Sequence, residues 1–163
     1  GWIIKVLEAI HLSPNATFLM LTKNPARYHE LILHIPTNVI LGATIETNRS
    51  TTGISLAPSP KNRAEAMVQL PIKYRRMVSI EPIMDFDLEP LAAWIQAVKP
   101  AFVYIGYDNH NKGLIAPPLD KTQRLIKALE SFTEVRVKNL RQTWGEVVVI
   151  VLPDPLSPIP WAL

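Results

Sequence analysis

The sequence predicts an α/β fold in which a parallel sheet of about five strands alternates with helices. Strand-length apolar segments and longer segments of helical periodicity alternate along the 163-residue chain, which is typical of parallel sheets with right-handed crossovers. Acidic side chains follow three of the predicted strands, at the edge where parallel α/β folds bind ligands. An open doubly wound sheet and a partial (βα) barrel both satisfy this pattern, since a complete eight-unit barrel takes about 250 residues.

The chain begins with two predicted helices and the strand between them. Residues 2–12 have apolar side chains at helical spacing, and residues 17–21 form an apolar segment of strand length. The second helix begins with Asn24 as its N-cap and Pro25 at its first helical position, and it extends through Ile35.

The middle of the chain predicts two more strands joined by a loop and a helix. Residues 39–45 form an apolar strand, and residues 47–59 form a polar loop of a length that is usually functional or mobile. Ser59 caps a helix over residues 60–70 because it precedes a proline. The third strand covers residues 77–80.

Two further helices enclose the fourth predicted strand. Asp87 caps a helix over residues 88–98, and the strand covers residues 102–106. After a second long loop, Asp120 caps a helix over residues 121–132.

The end of the chain predicts a half-exposed strand and a tail. Apolar and basic residues alternate over residues 135–138, as in a strand with one solvated face. Residues 147–152 form a possible sixth strand, and the prolines that follow predict an extended or disordered end. We therefore expect one domain over residues 1–141, followed by a C-terminal strand and Pro-rich tail over residues 142–163.

Composition, charge and motifs exclude several kinds of site. The chain contains no cysteine, which excludes disulfides, a thiol nucleophile and a cysteine-held iron–sulfur cluster within it. No apolar segment approaches the roughly 20 residues of a membrane span, and no signal peptide is recognised, so we expect a cytoplasmic protein without a membrane partner. The common phosphate-binding and hydrolase motifs are absent from the sequence. The net charge of +3 is more typical of solvated faces than of nucleic-acid binding, which stays open.

Carboxylates follow three successive predicted strands. Glu46, Glu81 and Asp108 lie at these strand ends, and the carboxyl ends of neighbouring parallel strands share one edge of a sheet. Three converging carboxylates suit a hard divalent ion such as Mg²⁺. Alternatively, each carboxylate caps a loop or pairs with Lys23, Arg49 or Lys138.

Two lysine–asparagine pairs follow the outer strands. Lys23 with Asn24, and Lys138 with Asn139, place cations at the flanking strand ends. A lysine there can hold a carboxylate or a phosphate as a compact charge. Ordinary solubility and helix capping explain the same residues without a ligand.

Five segments of the chain together carry a family resemblance. They are FLMLTKNPARY at 18–28, VILGATIE at 39–46, SIEPI at 79–83, YIG at 104–106 and VKNL at 137–140. Together these segments resemble the radical SAM superfamily, and within it the phage and archaeal radical-SAM-like proteins. T-K-x-P and S-I-E-P are the most specific parts. The resemblance covers most of residues 2–141 and implies the C-terminal part of a barrel, that is, a partial (βα) TIM-like barrel.

The resemblance also implies which residues contact S-adenosylmethionine. One barrel strand of the superfamily carries G-x-I-x-G-x-x-E beside the adenine. Ile40 and Gly42 match this motif, whereas the first glycine is replaced and Glu46 lies one position late. Thr22 and Lys23 stand on the strand that offers polar groups to the ribose or the carboxylate of this cofactor.

The resemblance leaves the chemistry incomplete in this chain. The substrate-facing residues that it implies are Glu81, Tyr107, Asp108, Lys138 and Asn139. The three-cysteine loop that holds the [4Fe–4S] cluster belongs to the first βα unit of the superfamily, and this chain has neither that unit nor any cysteine. The resemblance therefore implies a ligand-facing edge, and not radical chemistry by this polypeptide alone.

Three functions stay open from the sequence. The first is a part of a radical-SAM-like barrel that binds S-adenosylmethionine or another small molecule. The second is a divalent-metal-dependent α/β enzyme that uses the strand-end carboxylates, and the third is a non-catalytic interaction module or stable fragment. Because a partial barrel exposes a strand edge and a sheet face, we expect self-association, a missing N-terminal half-barrel as partner, or covering by the Pro-rich tail and Trp161.

Overall fold

The five predicted strands form one parallel sheet. The structure is a computed structural model that describes residues 1–110 and 112–141. The strands are β1 (Phe18–Thr22), β2 (Val39–Thr44), β3 (Arg76–Ile80), β4 (Phe102–Ile105) and β5 (Glu134–Val137). They lie side by side in sequence order, and every neighbouring pair is parallel.

A helix precedes each strand, which confirms the predicted α/β alternation. The helices are α1 (Trp2–His11), α2 (Ala26–Leu31), α3 (Pro60–Val68), α4 (Leu88–Val98) and α5 (Leu119–Glu130). A doubly wound sheet reverses its strand order at a switch point, and the five described strands show no such reversal. The observed order is that of a barrel wall, so the partial barrel stays a prediction consistent with the sheet. The predicted sixth strand over residues 147–152 and the Pro-rich tail lie outside the described residues.

The main hydrophobic core lies between the helices and one face of the sheet. Alternate strand residues such as Leu41, Val78 and Val103 are fully buried there. They pack in one cluster with helix residues that include Leu91 and Leu125. Because side chains alternate between the two faces of a strand, the remaining strand residues lie on the other face.

The second face of the sheet, called here the open face, has no helix packed against it within the described part of the chain. A small separate cluster of Ile40, Met77 and Phe102 lies on it. On the edge strand β1, Leu19 and Leu21 are exposed. Ile40, Met77 and Phe102 are buried, so the apolar surface that the expected partner or tail would cover is the β1 edge of the open face, where Leu19 and Leu21 are exposed.

The helix starts were predicted with mixed success. Ser59 caps α3 as expected, since its Oγ accepts a hydrogen bond from the backbone N–H of Asn62 at 3.2 Å. Asn24 does not cap α2, which begins at Ala26 and ends at Leu31. The backbone N–H of Asn24 instead donates to Thr22 Oγ1 at 3.0 Å, so the polar residues here form a turn before the helix.

Two aspartates near helix starts also differ from the prediction. Asp87 occupies the N-cap position of α4, but its carboxylate accepts no capping bond and instead binds Arg49. Asp120 lies inside the first turn of α5, because that helix begins at Leu119, two residues before the predicted start at residue 121. Its carboxylate pairs with Arg124 along the helix at 3.1 Å.

No helix among the described residues is both long enough and apolar enough to cross a membrane. This agrees with the sequence, in which no apolar segment reaches the length of a span.

Candidate functional site

Three charged side chains meet at the carboxyl ends of β1 and β2 and are called here the Glu46 triad. They are Lys23 after β1, Glu46 after β2, and Arg63, which reaches this place from α3. Lys23 Nζ lies 2.8 Å from Glu46 Oε1, and Arg63 Nη1 lies 2.6 Å from Glu46 Oε2. The side chain of Glu46 is only 3% exposed and that of Arg63 is fully buried, whereas Lys23 is 44% exposed. Two cations thus hold one buried carboxylate, and the triad carries a net charge of +1.

The sequence of α3 explains why Arg63 is buried. Pro60, Arg63, Ala64 and Met67 are the buried residues of this helix, and their spacing places them on one face. From this face, Arg63 donates its Nε to the carbonyl oxygen of Pro58 at 2.6 Å. Its third nitrogen, Nη2, is buried without a hydrogen-bond partner in the part of the chain that the structure describes. The sequence analysis missed Arg63, although its helical spacing to Met67 could have revealed it.

The turn between β1 and α2 positions Lys23. The bond from Asn24 N–H to Thr22 Oγ1 closes the turn, and the hydroxyl of Tyr28 on α2 lies 2.7 Å from the carbonyl oxygen of Met20 in β1. Burial raises the pKa of Tyr28 well above its ordinary value, and a bond to the Gly42 carbonyl partly offsets this effect. The Tyr28 hydroxyl thus attaches α2 to the sheet through the carbonyl oxygens of Met20 and Gly42.

A second ion pair, Glu81–Lys138, lies at the carboxyl ends of β3 and β5. Lys138 Nζ is 2.8 Å from Glu81 Oε2, and it lies 4.8 Å from the ring centroid of Tyr104 on β4. Both partners are accessible, with Glu81 25% and Lys138 47% exposed. This pair is therefore more open than the Glu46 triad.

Backbone hydrogen bonds continue the sheet past the strand ends and fix this edge. They join Ile45 N–H to Ser79 O at 2.9 Å, Gly106 N–H to Ile80 O at 3.3 Å, and Lys138 N–H to Ile105 O at 2.9 Å. A further bond runs from Ile83 N–H to Gly106 O at 2.8 Å. We call the residues at these ends, together with the Glu46 triad and the Glu81–Lys138 pair, the rim. Its polar groups are placed by the sheet itself.

Gly42 has a packing role on the open face. A Cβ atom built on Gly42 would lie 2.5 Å from Met77 Sδ and 3.2 Å from a methyl carbon of Leu21. The space that the missing side chain leaves is therefore filled by Met77. The structure therefore supports a packing reason for this glycine.

Tyr107 and Asp108, which the resemblance places facing a substrate, are both buried in the structure. The Tyr107 hydroxyl is buried and lies 2.9 Å from the carbonyl oxygen of Pro117 and 2.8 Å from Thr122 Oγ1. The Asp108 carboxylate accepts backbone N–H bonds from His110 at 2.9 Å and Lys112 at 2.6 Å. These bonds, first that of Lys112, lower the pKa of Asp108. Both side chains therefore order their own loop.

Asn139 has a backbone role at the rim. Its carbonyl oxygen accepts the N–H of Tyr107 at 3.0 Å, which continues the pairing of β4 with β5. Its side chain is exposed. The implied contact of Asn139 with a substrate stays a prediction.

The predicted Mg²⁺ site has no support in the described geometry. Residues 1–110 and 112–141 contain no group of three or more acidic or histidine side chains placed to hold a metal ion. Glu46 and Glu81 each bind lysine, and Asp108 binds backbone N–H groups. The alternative interpretation, in which these carboxylates pair with cations or order a loop, describes all three.

A polar cluster that the sequence analysis did not identify joins the loops at this end of the sheet. Arg49 forms ion pairs with Asp85 and with Asp87, the latter at 2.6 Å, and Lys121 on α5 binds Asp85 at 2.7 Å. Thr47 Oγ1 donates to the Asp85 carbonyl at 2.7 Å. The long loop after β2 is thereby attached to the starts of α4 and α5.

The charges of this cluster shift its pKa values. Partial burial raises the pKa of Asp85, but the hydrogen bond and charge of Lys121 and the charge of Arg49 outweigh it, so the net shift is downward. The hydrogen bond from Arg49 lowers the pKa of Asp87. Two cations face two carboxylates, so the cluster is neutral and stabilises the loops.

Comparison with known proteins gave no identification of the chain. No family model matches the sequence, and no curated protein or solved structure is significantly similar to it. The radical SAM resemblance therefore rests on the quoted segments alone and stays a prediction.

Proposed function

We propose that this chain is the ligand-binding C-terminal part of a radical-SAM-like barrel and that it binds the amino-acid end of S-adenosylmethionine at the Glu46 triad. The observation that carries the proposal is the pair formed by the 44% exposed Lys23 and the buried Glu46 at adjacent strand ends. Strand ends of this kind are where (βα) barrels bind ligands.

The charges of the triad fit a zwitterionic amino-acid group. Lys23 can turn toward a ligand carboxylate, because Arg63 remains to neutralise Glu46. The outer oxygen of Glu46 then accepts a hydrogen bond from the ligand ammonium. Thr22, whose hydroxyl hydrogen is not used by the bond from Asn24, can donate to the same ligand.

An iron–sulfur cluster does not fit this chain. Such clusters are held by cysteine thiolates, and the sequence contains no cysteine. We therefore assign ligand binding to the chain and no radical step. Electron transfer to the bound cofactor belongs to another part of a complete barrel.

Calorimetric titration with S-adenosylmethionine tests the proposal. We expect binding to the native sequence, and a loss of about 10- to 100-fold in affinity for Lys23→Ala, because a hydrogen bond between charged groups contributes about 1.5–3 kcal/mol. Lys61→Ala is the matched control, since it removes an exposed lysine that pairs with Glu65 on α3. Equal affinity in the native protein and Lys23→Ala, or no binding in either, would contradict the proposal.

A second candidate function is an interaction role for the open face and the β1 edge. The exposed side chains of Leu19 and Leu21 on an edge strand favour it, because long exposed apolar edges pair with other chains. We expect self-association in sedimentation, and a shift toward monomer for Leu21→Lys but not for the control Leu33→Lys, whose side chain is exposed outside the sheet. A compact monomer that is unchanged by deletion of residues 153–163 would exclude both self-association and covering by the tail.

A further inference from the structure

The rim holds a second set of groups that the proposed S-adenosylmethionine site does not use. The ammonium of Lys138 lies 2.8 Å from Glu81 Oε2 and 4.8 Å from the ring centroid of Tyr104. A carboxylate beside an aromatic face is the combination by which proteins recognise ammonium groups, through a charged hydrogen bond and a cation–π interaction. The ammonium group of Lys138 thus occupies a position that also suits the ammonium group of a ligand.

The walls of this place are fixed by the sheet. Glu81 follows β3, Tyr104 lies on β4, and the bonds from Gly106 N–H to Ile80 O and from Ile83 N–H to Gly106 O join the two strand ends. Gly106 forms the floor between them. A Cβ atom at Gly106 would lie 3.4 Å from both Glu81 Oε1 and Lys138 Cβ, so the backbone of this glycine lies directly beside the carboxylate.

The present occupant can be replaced. Lys138 is 47% exposed, and ion pairs of such accessibility contribute little to stability. The second carboxylate oxygen, Glu81 Oε1, has no hydrogen-bond partner among the described residues. A ligand amine can therefore approach Glu81 while the flexible Lys138 side chain turns into solvent.

The neighbouring charges do not compete for this place. Arg136 is the other cation near Tyr104, with its guanidinium carbon 5.8 Å from that ring centroid, but it lies closer to Phe102, at 3.9 Å from the centroid, and is bound to Glu134 at 2.8 Å. The hydrogen bond to Glu134, and then contact with Tyr104, raise the pKa of Arg136. It therefore stays charged and bound to Glu134, and it leaves Glu81 and Lys138 as the exchangeable pair.

We propose that Glu81, Tyr104 and Gly106 form a binding site for a primary ammonium group of a small-molecule ligand, and that Lys138 occupies this site until the ligand replaces it. The site is separate from the Glu46 triad, and its ligand is recognised without S-adenosylmethionine. The two proposals therefore succeed or fail independently.

The test removes the Lys138 side chain by substitution and supplies a free amine in solution. The protein is titrated with n-butylammonium chloride, which copies a whole lysine side chain, and the NMR signals of the Gly106 and Ile83 backbone amides report binding. We expect Lys138→Ala to bind n-butylammonium at least about tenfold more tightly than the native protein, because the internal competitor is gone. Adding Glu81→Gln or Tyr104→Leu to Lys138→Ala should each reduce this affinity about tenfold or more.

Controls separate this site from an ordinary surface ion pair. Lys61→Ala leaves Glu65 without its lysine on α3, where the pair is exposed, and should gain no affinity for n-butylammonium. Thermal unfolding of every variant confirms that it is folded. Equal n-butylammonium affinity in Lys138→Ala and Lys61→Ala, or equal affinity with and without Glu81→Gln, would overturn the proposal. Binding of acetate by the native protein in place of n-butylammonium would also overturn it, because Lys138 would then be the ligand-binding group of an anion site.

Discussion

Two neighbouring strand ends with the same local sequence pattern have opposite environments. Both β2 and β3 lead into a glutamate, but Glu46 is 3% exposed and held by two cations, whereas Glu81 is 25% exposed and paired with one accessible lysine. Two glycines of this sheet differ in a related way. A Cβ atom at Gly42 would lie 2.5 Å from Met77 Sδ, whereas a Cβ atom at Gly106 would meet Glu81 Oε1 at an ordinary contact distance of 3.4 Å.

The difference comes from what packs behind each strand end. Behind Glu46, α3 contributes the fully buried Arg63, whose charge must be neutralised inside the protein. Glu81 has no cation from a helix among the described contacts, and Lys138 reaches it from the edge strand β5. A strand-end carboxylate on this fold is thus either held from within by a buried arginine or paired only with an accessible lysine. We call the Glu46 end of the rim the closed side and the Glu81 end the open side.

The largest expected effect is on the closed side, at Glu46. Glu46→Gln leaves Arg63 as a buried charge without a counter-ion, which costs about 3–5 kcal/mol. We expect this loss in the free energy of unfolding from urea denaturation. Combining Arg63→Met with Glu46→Gln should recover part of the loss, because both members of the buried pair are then neutral. A loss below about 1 kcal/mol for Glu46→Gln would show that the two sides of the rim are alike.

The two glycines give the next largest contrast. Gly42→Ala places a Cβ atom 2.5 Å from the sulfur of the buried Met77, and overpacking of this kind costs about 1–3 kcal/mol. Gly106→Ala meets its nearest atoms at 3.4 Å, an ordinary contact, and should change the free energy of unfolding by less than about 0.5 kcal/mol. Equal costs in urea denaturation would contradict the assignment of a filled and an open side.

The sequence predicts that Glu46 and Glu81 both follow strands, but it does not predict which side chains surround each of them. Local apolar patterns place Glu46 and Glu81 at strand ends, since a strand and its end are set by neighbouring residues. Burial of Arg63 depends on how α3 packs, and its neighbours Lys61 and Asn62 make the segment resemble an exposed helix. Only the helical spacing to Met67 carries that information in the sequence.

Capping and ligand roles were harder to predict for a related reason. Thr22 and Asn24 can satisfy each other in a turn or cap a helix, and the local sequence favours both. The same holds for Asp87, whose carboxylate is taken by Arg49 from a loop 38 residues away in the chain. Side chains of this kind choose among partners that only the tertiary structure brings together.

Acid titration tests whether the polar cluster of Arg49, Asp85, Asp87 and Lys121 stabilises the loops at this end of the sheet. The pKa of Asp85 lies below its unfolded value of about 3.9, chiefly because Lys121 and Arg49 outweigh partial burial. Its contribution to stability is therefore present above about pH 4 and is lost as the pH falls through the lower folded pKa. We expect Asp85→Asn to lower the melting temperature at pH 7 and to have a smaller effect at pH 2–3. Asp120→Asn, in an exposed pair with Arg124, serves as control, and an Asp85→Asn effect that does not depend on pH would contradict this role.

The smallest expected effect is on the open side, at Glu81. Glu81→Gln removes an accessible ion pair, which costs about 0–1 kcal/mol. If Glu81 were instead one of several crowded carboxylates around a cation site, their repulsion would be relieved and the substitution would stabilise the protein. Thermal unfolding with and without Mg²⁺ distinguishes the two cases, because an ion that binds only the folded state raises the melting temperature. We expect Mg²⁺ to shift the native protein, Glu81→Gln and the exposed control Glu65→Gln equally. A larger Mg²⁺ shift in the native protein than in Glu81→Gln would restore the metal-dependent alternative and make the open side of the rim a cation site.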